Sequence, residues 1–549
     1  MPQLLDNPFY YLDNFHHIVD WVRARYSHLL NQEEHRFVEG IASMPQASRA
    51  LLVRMVMRKG PVFRASRLCY GEIGCTRSAV RPLVEQGWVA ERVSLSLDEI
   101  FGILTKAEVL SAFRLPRSSA AMKKSELLDA LRAEFNTPRC FAEWYPESED
   151  CVYQVMIDPL CERLKLMYFG NCVQDWSEFT LSDLGINKYE KVDLTTASHA
   201  FRSPEDIDCY LQLHRLRDRL EAGDAADAVL SDMPDRVAEN EWLEGRRAKL
   251  LLQIAQELER NGSVDKALHV YSSCTYPGAR IRIVRILERS GKIGMAHALA
   301  QEAERKPESE AELQQLMRVL PRLQRKLGLE KIGRRVAPAV DRIDLALDQP
   351  GTPYSVELLV ANHLVSAEAP VFYVENTLIN SLFGLLCWTA VFAPVPGAFF
   401  HPFHSGPTDL YRADFHLRRE NLFAACFAQL ESDDYRHTIR RHFAEKWGMQ
   451  SPFVSWVNLS AELLDLALEC IPAADLGKFF ARMLLDIKAN RAGLPDLIQF
   501  WPVERRYRMI EVKAPNDRLQ DNQIRWMEYC VMHDIPVSVC YVDWVKETL

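Results

Sequence analysis

Over its last quarter the chain changes period. The helical run LGKFFARMLLDIKAN gives way to GLPDLIQFW and RRYRMIEVKA, then to the helical LQDNQIRWMEYCVMHD, and finally to IPVSVCYVDWV. Short β-rich runs alternating with helices bury their apolar faces as a mixed α/β layer around a central sheet. Before this region the apolar residues recur at helical spacing. The expectation is a multidomain protein, mostly α in its N-terminal two-thirds, with a C-terminal α/β domain on a mixed sheet. A length of 549 residues is too great for one hydrophobic core. Hydrophobic residues at 48% and charged residues at 26% exclude disordered and fibrous classes, and a formal net charge of −9 excludes a chain that wraps nucleic acid with its whole surface.

Residues 1–95 read as a helical domain ending in VRPLVEQGWVAERVSLS, a helix followed by an extended piece, which resembles a winged-helix tail. Arg54, Arg58, Lys59, Arg64 and Arg67 reverse the sign of an acidic chain here and make a candidate phosphate-binding face; a solvated helical surface has the same composition. Residues 96–140 hold two amphipathic helices joined by a turn that carries Lys123 and Lys124, and resemble a SAP module, a small DNA-binding fold. Residues 141–203 read as a linker or helical segment, and 204–350 as helical nearly throughout. There Gly223, Gly262 and Gly291 are each followed five positions on by Ala228, Ala267 and Ala296. A glycine that ends one helix and a small residue that lets the next pack closely are what a tetratricopeptide-type repeat needs. The spacings between the glycines are unequal, so a plain helical bundle stays open.

The start MPQLLDNPFYYLDNF lacks the basic end and apolar run of a signal peptide, and Ser381–Phe400, broken by Pro394, Pro396 and Gly397, reads as a buried helix instead of a membrane span. The 13 cysteines form no C-x-x-C pair and read as reduced, mostly buried thiols. These readings place the protein in the cytoplasm.

Inside the C-terminal region Pro495-Asp496 is expected on one strand and Glu511-Val512-Lys513 on the next, the arrangement of the PD-(D/E)xK nuclease motif. Side chains alternate along a strand, so Glu511 and Lys513 share a face while Val512 points into the core. Two carboxylates and an ammonium then meet at one point, and hard oxygen ligands of this kind suit Mg²⁺ or Mn²⁺. The chemistry implied is phosphodiester hydrolysis, with a metal held by Asp496, Glu511 and the Val512 carbonyl and with Lys513 orienting water or stabilising the transition state. A solvated edge strand carries the same letters, and the motif alone does not separate the two.

The run GLPDL followed by EVKAPNDRLQDNQIRWM, where Asn516, Asp517 and Leu519 lead to Gln523 and Trp526, resembles the VRR-NUC (virus-type replication-repair nuclease) domain. Upstream, VENTLINSLFGLLCW, a proline-rich loop and GPTDL resemble the region that precedes this domain in the Fanconi-associated nuclease family. The likeness extends to Tyr10, Tyr11 and Leu12, to LLVRMVMRKGPVFRASRLCYGEI, to the SAP-like helices and to the repeats. It implies a nuclease domain over 351–549, with Glu375 on a helix as a further metal-binding residue and Gln523 in a supporting role. The implied activity is structure-selective cutting of branched or flapped double-stranded DNA, with 5′-flap endonuclease and 5′-to-3′ exonuclease activities, in interstrand-crosslink repair. The implied protein is a monomer that acts at the nucleoid, or in the nucleus if eukaryotic. No Cys/His zinc finger precedes the first domain, as expected of a compact bacterial member. Lys488 and Arg491, with Arg505, Arg506 and Arg508, are candidate grips on phosphate; His401 and His404 read as a channel-shaping loop and Asp409 as a helix cap. Rival readings are a Holliday-junction resolvase, which works as a symmetric dimer, and a non-catalytic helical-repeat scaffold.

Overall fold

The computed structural model describes residues 7–183, 185–194, 199, 201–236, 239–329, 339–348 and 355–545. They fall into two compact units, one drawn from 1–187 and 200–207, the other from 188–199 and 208–549.

The first unit opens with α1 (Tyr10–Tyr26), whose buried Tyr11, Phe15, Ile18, Val22 and Tyr26 recur at helical spacing. After α2 (Gln32–Ser43) and α3 (Gln46–Val56) come a short strand β1 (Val62–Arg64), then α4 (Thr76–Glu85) and β2 (Val89–Glu91). Gly87, with a φ of +74°, makes the turn between the last two, and the Trp88 N–H donates to the Leu83 carbonyl at 3.0 Å. The expected helix and extended piece are present, and a third strand, β3 (Val152–Val155), lies antiparallel between β1 and β2.

The SAP-like segment holds three helices, α5 (Leu97–Ile103), α6 (Lys106–Ala112) and α7 (Lys124–Leu131), where two were expected. Thr105 divides the first pair: its hydroxyl accepts from the Glu108 N–H at 3.3 Å while the Glu108 carboxylate accepts from the Thr105 N–H at 2.7 Å, a capping box that starts a new helix.

Three of the expected phosphate ligands serve the fold instead. Arg64 is buried and ion-paired to Glu108 at 2.5 Å and Asp150 at 2.7 Å. Arg54 donates to Glu72 at 2.7 Å and lies 3.8 Å over the Tyr11 ring. Lys124 donates to the Leu104 carbonyl at 2.6 Å. Arg58, Lys59, Arg67 and Lys123 are exposed.

In the second unit α8 (Glu241–Arg260), α9 (Val264–Ser273), α10 (Ala279–Arg289), α11 (Ile293–Arg305) and α12 (Glu310–Leu327) pack in succession. Gly262 and Gly291 take φ of +80° and +74°, a left-handed conformation that a Cβ would strain, and Ala267 and Ala296 are fully buried as the repeat requires. Ala228 is exposed, and Val229 is buried in its stead, because the helix Ala226–Ser231 starts one residue later after its glycine than α9 and α11 do after theirs. Of the stretch expected to be helical, 237–238, 330–338 and 349–350 lie outside the described residues, and Asp341–Leu347 is a strand, β4. Its letters, IDLAL, alternate with period two, which a strand uses and a helix cannot.

β4 is one edge of a five-stranded sheet with β5 (Val371–Tyr373), β6 (Leu497–Trp501), β7 (Arg506–Lys513) and β8 (Val537–Trp544), in the order β4-β8-β7-β6-β5. β8 runs parallel to β4 and β7, and β6 runs antiparallel to β7 and β5. On one face Leu497, Ile510, Val512 and Cys540 pack with Val360 and Ala361 of α13 (Val356–Leu364). On the other, Ile498, Phe500 and Met509 share a core with α14 (Leu378–Leu386), α15 (Ala473–Leu485) and α16 (Asp521–Met532). Every residue of α14 is buried, as expected for that apolar stretch, and no helix among the described residues is long and apolar enough to cross a membrane.

Replacing Arg64 with Ala leaves Glu108 and Asp150 facing each other without a cation, and breaking a buried pair in this way costs about 3 kcal/mol or more. Urea unfolding of Arg64→Ala is expected to show that loss, and an unchanged midpoint would contradict the structural role given to this arginine.

Candidate active site

The last pair of the β6–β7 ladder is Leu497 with Ile510, so one step on, just before β6 begins, Asp496 faces Glu511. Asp496 therefore stands at the entry to its strand, not within it. Its Oδ2 accepts from the Val512 N–H at 2.8 Å, which fixes the carboxylate across the ladder. Strand alternation sends Glu511 and Lys513 to the α14 side and Val512 to the α13 side, as read from the sequence. Glu511 has no exposed surface, and among the described residues neither of its oxygens accepts a hydrogen bond. The Lys513 ammonium lies 2.9 Å from Glu511 Oε1 as an ion pair without hydrogen-bond alignment, and 3.5 Å from Asp517 Oδ2.

Glu375 is not on a helix. It is exposed in the turn between β5 and α14, where Asn376 takes a φ of +51°. Backbone and amide bonds stitch this turn to the GLPD segment. The Val374 N–H donates to the Asp496 carbonyl at 2.8 Å, the Leu494 N–H to Asn376 Oδ1 at 3.1 Å, and Asn380 Nδ2 to the carbonyls of Asn376 and Arg491 at 2.5 and 2.8 Å. The Tyr373 hydroxyl then donates to Glu375 Oε2 at 2.5 Å. Gly493 lets the same segment approach α16: a Cβ there would sit 2.8 Å from the Asn522 backbone carbon.

The electrostatics follow from this crowding. Burial raises the Glu511 carboxyl most, with Asp496 and Glu375 adding to it and Lys513 opposing, to about 8. Burial likewise raises Asp496, to about 6; the Val512 N–H holds it back, while Glu357 and Glu375 push it further up. For Lys513 burial works downward, but Glu511, Asp517 and Asp496 outweigh it, and the ammonium is held above its ordinary value. Sequence reasoning missed Glu357, Tyr373 and Asp517 as neighbours of this site. Only Asp517 carried a signal, through the Asn516-Asp517 pair.

The other expected site residues have other partners. Gln523 Oε1 accepts from the Gln520 N–H at 2.8 Å and caps α16, and Trp526 is core, donating to the Asn490 carbonyl at 3.1 Å. Asp409 is no helix cap: it is buried and clamped by Arg419 through two bonds of 2.9 Å and by Arg418. His401 and His404 are buried with ring centroids 3.9 Å apart, and burial lowers His404 to about 4. Arg491 donates to the Tyr411 hydroxyl and the Pro452 carbonyl, and Arg506 stacks 3.6 Å over Trp501. Lys488 is exposed and 3.1 Å from the Tyr276 hydroxyl.

Among the described residues no three His, Cys, Asp or Glu side chains are already gathered into a metal-binding group. The donors nonetheless fit a hard divalent cation: a buried carboxylate whose oxygens accept no aligned hydrogen bond, a second with one oxygen free of the Val512 N–H, and a third, Glu375, held at the solvent edge.

A sheet covered by helices on both faces, with Asp496 at the entry to one strand and Glu511 and Lys513 at the end of its neighbour, defines a nuclease of the PD-(D/E)xK superfamily. Three family models match: "FAN1, HTH domain" over residues 9–90, "Fanconi anemia-associated nuclease SAP domain" over 94–144 and "VRR-NUC domain" over 430–544. The Fanconi-associated nuclease 1 homolog of Pseudomonas aeruginosa is 52% identical over 540 residues, 98% of this chain and 97% of that one. The Arabidopsis thaliana homolog is 22% identical over 96% of this chain and 66% of its own length. The crystal structure of paFAN1 bound to DNA with a two-nucleotide 5′ flap and a gap superposes with a TM-score of 0.96 at 51% identity, covering 99% of this chain and all of that one. The chain belongs to the Fanconi-associated nuclease family, and the activity that this family carries is divalent-metal-dependent nucleolysis.

Because both carboxyls have folded pKa values above their ordinary ones, the folded chain keeps protons that the unfolded chain has released. The contribution of these two carboxyls to stability without divalent cation therefore falls as pH rises from about 4 to about 8, opposed at the lower end by His404, whose folded value is lowered to about 4. Calorimetry is expected to show it as a difference between variants, with Glu511→Gln raising the melting temperature over wild type by about 2 °C or more at the upper end and by less at the lower end. A Glu511→Gln melting temperature offset from wild type by the same amount at every pH would mean that the carboxylate is hydrated after all.

Proposed function

We propose that this chain cuts 5′-flapped and branched double-stranded DNA by phosphodiester hydrolysis, as a 5′-flap endonuclease with 5′-to-3′ exonuclease activity in interstrand-crosslink repair. The observation that carries the reading is Glu511, fully buried with neither oxygen accepting an aligned hydrogen bond, one rung from Asp496 and ion-paired to Lys513. Its support is the likeness, over nearly the whole chain, to a protein crystallised with 5′-flap DNA.

In this reading Asp496, Glu511, the Val512 carbonyl and Glu375 hold Mg²⁺ or Mn²⁺. The bound cation lowers the pKa of water and neutralises charge on the scissile phosphate. Lys513, 2.9 Å from Glu511 Oε1, orients the attacking water or stabilises the transition state where negative charge develops. Glu375, exposed and held by Tyr373, is the solvent-side member of the set. Arg58, Lys59, Arg67 and Lys123, exposed in the first unit, and Lys488 and Arg491 upstream of Asp496 are the phosphate contacts. Such contacts position a duplex without reading its sequence, which suits recognition by shape.

Asp496→Ala is expected to abolish Mn²⁺-dependent cutting of an end-labelled 5′ flap while leaving flap affinity within about threefold, measured by gel cleavage and by fluorescence anisotropy. Cleavage at the wild-type rate would remove the assignment of the site. Equal or faster cutting of a four-way junction would favour the resolvase reading.

A further inference from the structure

Glu357 stands in the first turn of α13, on the face of the sheet opposite α14 and α16. Its height is fixed by the far end of its helix, where the Leu364 carbonyl accepts from the Gln499 side chain at 3.1 Å. From Leu364 back to Glu357 the helix covers about 10 Å. From Gln499 back to Asp496 the strand covers about 10 Å as well. The first turn of α13 therefore stands level with Asp496, at the end of the sheet. Val360 and Ala361, packed against Leu497, Ile510 and Val512, set the rotation. Glu357 lies three and four positions before them, on the same side of the helix, and is half-buried.

Tyr373 marks where the two faces meet. It is the ladder partner of Leu497, yet its hydroxyl reaches Glu375 Oε2. The Ser355 hydroxyl donates to Glu357 Oε2 and steadies the carboxylate. That a cation belongs at this point is indicated independently by Glu511, buried without a hydrogen bond to either oxygen.

Hard divalent cations keep several waters, and outer carboxylates that accept from those waters tune affinity. We propose, resting on the nuclease reading above, that Glu357 is a positioning residue of the same site. Its carboxylate accepts hydrogen bonds from the hydration shell of the cation held by Asp496 and Glu511, and so supports the site from the second helical layer.

The test is a calorimetric titration of Mn²⁺ into the full chain without DNA, paired with flap cleavage over a range of Mn²⁺. Glu357→Gln is expected to weaken Mn²⁺ binding about tenfold with unchanged stoichiometry. The Mn²⁺ concentration for half-maximal cleavage should rise by the same factor, and the rate at saturating Mn²⁺ should fall less than the affinity. Ser355→Ala should shift both in the same direction by less, and decides alone if Glu357→Gln fails to fold. An isotherm for Glu357→Gln that overlays wild type, while Asp496→Asn has lost binding, overturns the proposal and leaves the nuclease reading standing. An Asp496→Asn isotherm equal to wild type overturns both.

Discussion

The C-terminal sheet is organised around an electrostatic conflict: Glu511, a carboxylate with no exposed surface, sits one rung from Asp496. Placing two such groups side by side in a poorly hydrated pocket disfavours ionising both, and Lys513 offsets only part of this. The hydrogen bonds that would quiet Glu511 are missing, whereas Asp496 has one from the Val512 N–H. In the reading proposed above, a doubly charged ion held here would relieve the repulsion and supply the missing partners, so that the strain of the cation-free site and its affinity for metal would be the same property seen from two sides.

Holding that conflict in place requires rigid surroundings. Asn376 and Asn380 tie the Glu375 turn to the chain before Asp496, so the two acidic segments are fastened together through backbone groups. From behind, the buried Arg482 lies 4.9 Å over Trp526 and 4.3 Å over Tyr529 of α16 and pairs with Glu310 of α12 at 2.8 Å. Arg318 of α12 reaches Asp521, the first residue of α16, at 2.8 Å. α12 thus braces the helix that follows Lys513.

What the sequence disclosed was local, and what it concealed was tertiary. Strand alternation was enough to put Glu511 and Lys513 on one side and Val512 on the other, and three glycines marked left-handed turns. Nothing in the letters says that Arg64 will meet Asp150, far along the chain, or that Asp409 will be claimed by Arg418 and Arg419. Basic residues that the charge pattern presented as one face divide into buried ion pairs and free cations only once packing is known. Glu357 was silent for the same reason: in a run reading SVELLVANHL it is an ordinary first-turn glutamate, and its meaning comes from the strand end it stands beside. Strand β4 could have been read and was not, because its two-residue alternation is brief and follows a long helical stretch.

β4 also pairs along its whole length with β8, a strand nearly two hundred positions further on, and no other described strand of the sheet touches it. During synthesis β4 emerges early and must wait, with its ladder groups unsatisfied, while all of α13 to α16 is made. Until residues 537–544 have cleared the ribosome the sheet has neither its edge nor its interior parallel strand, and β7, which bears Glu511 and Lys513, lacks a neighbour on one side. β7 therefore gains its second neighbour only from chain made after it, and closure of the sheet around Glu511 and Lys513 rests on a pairing that is long-range in sequence.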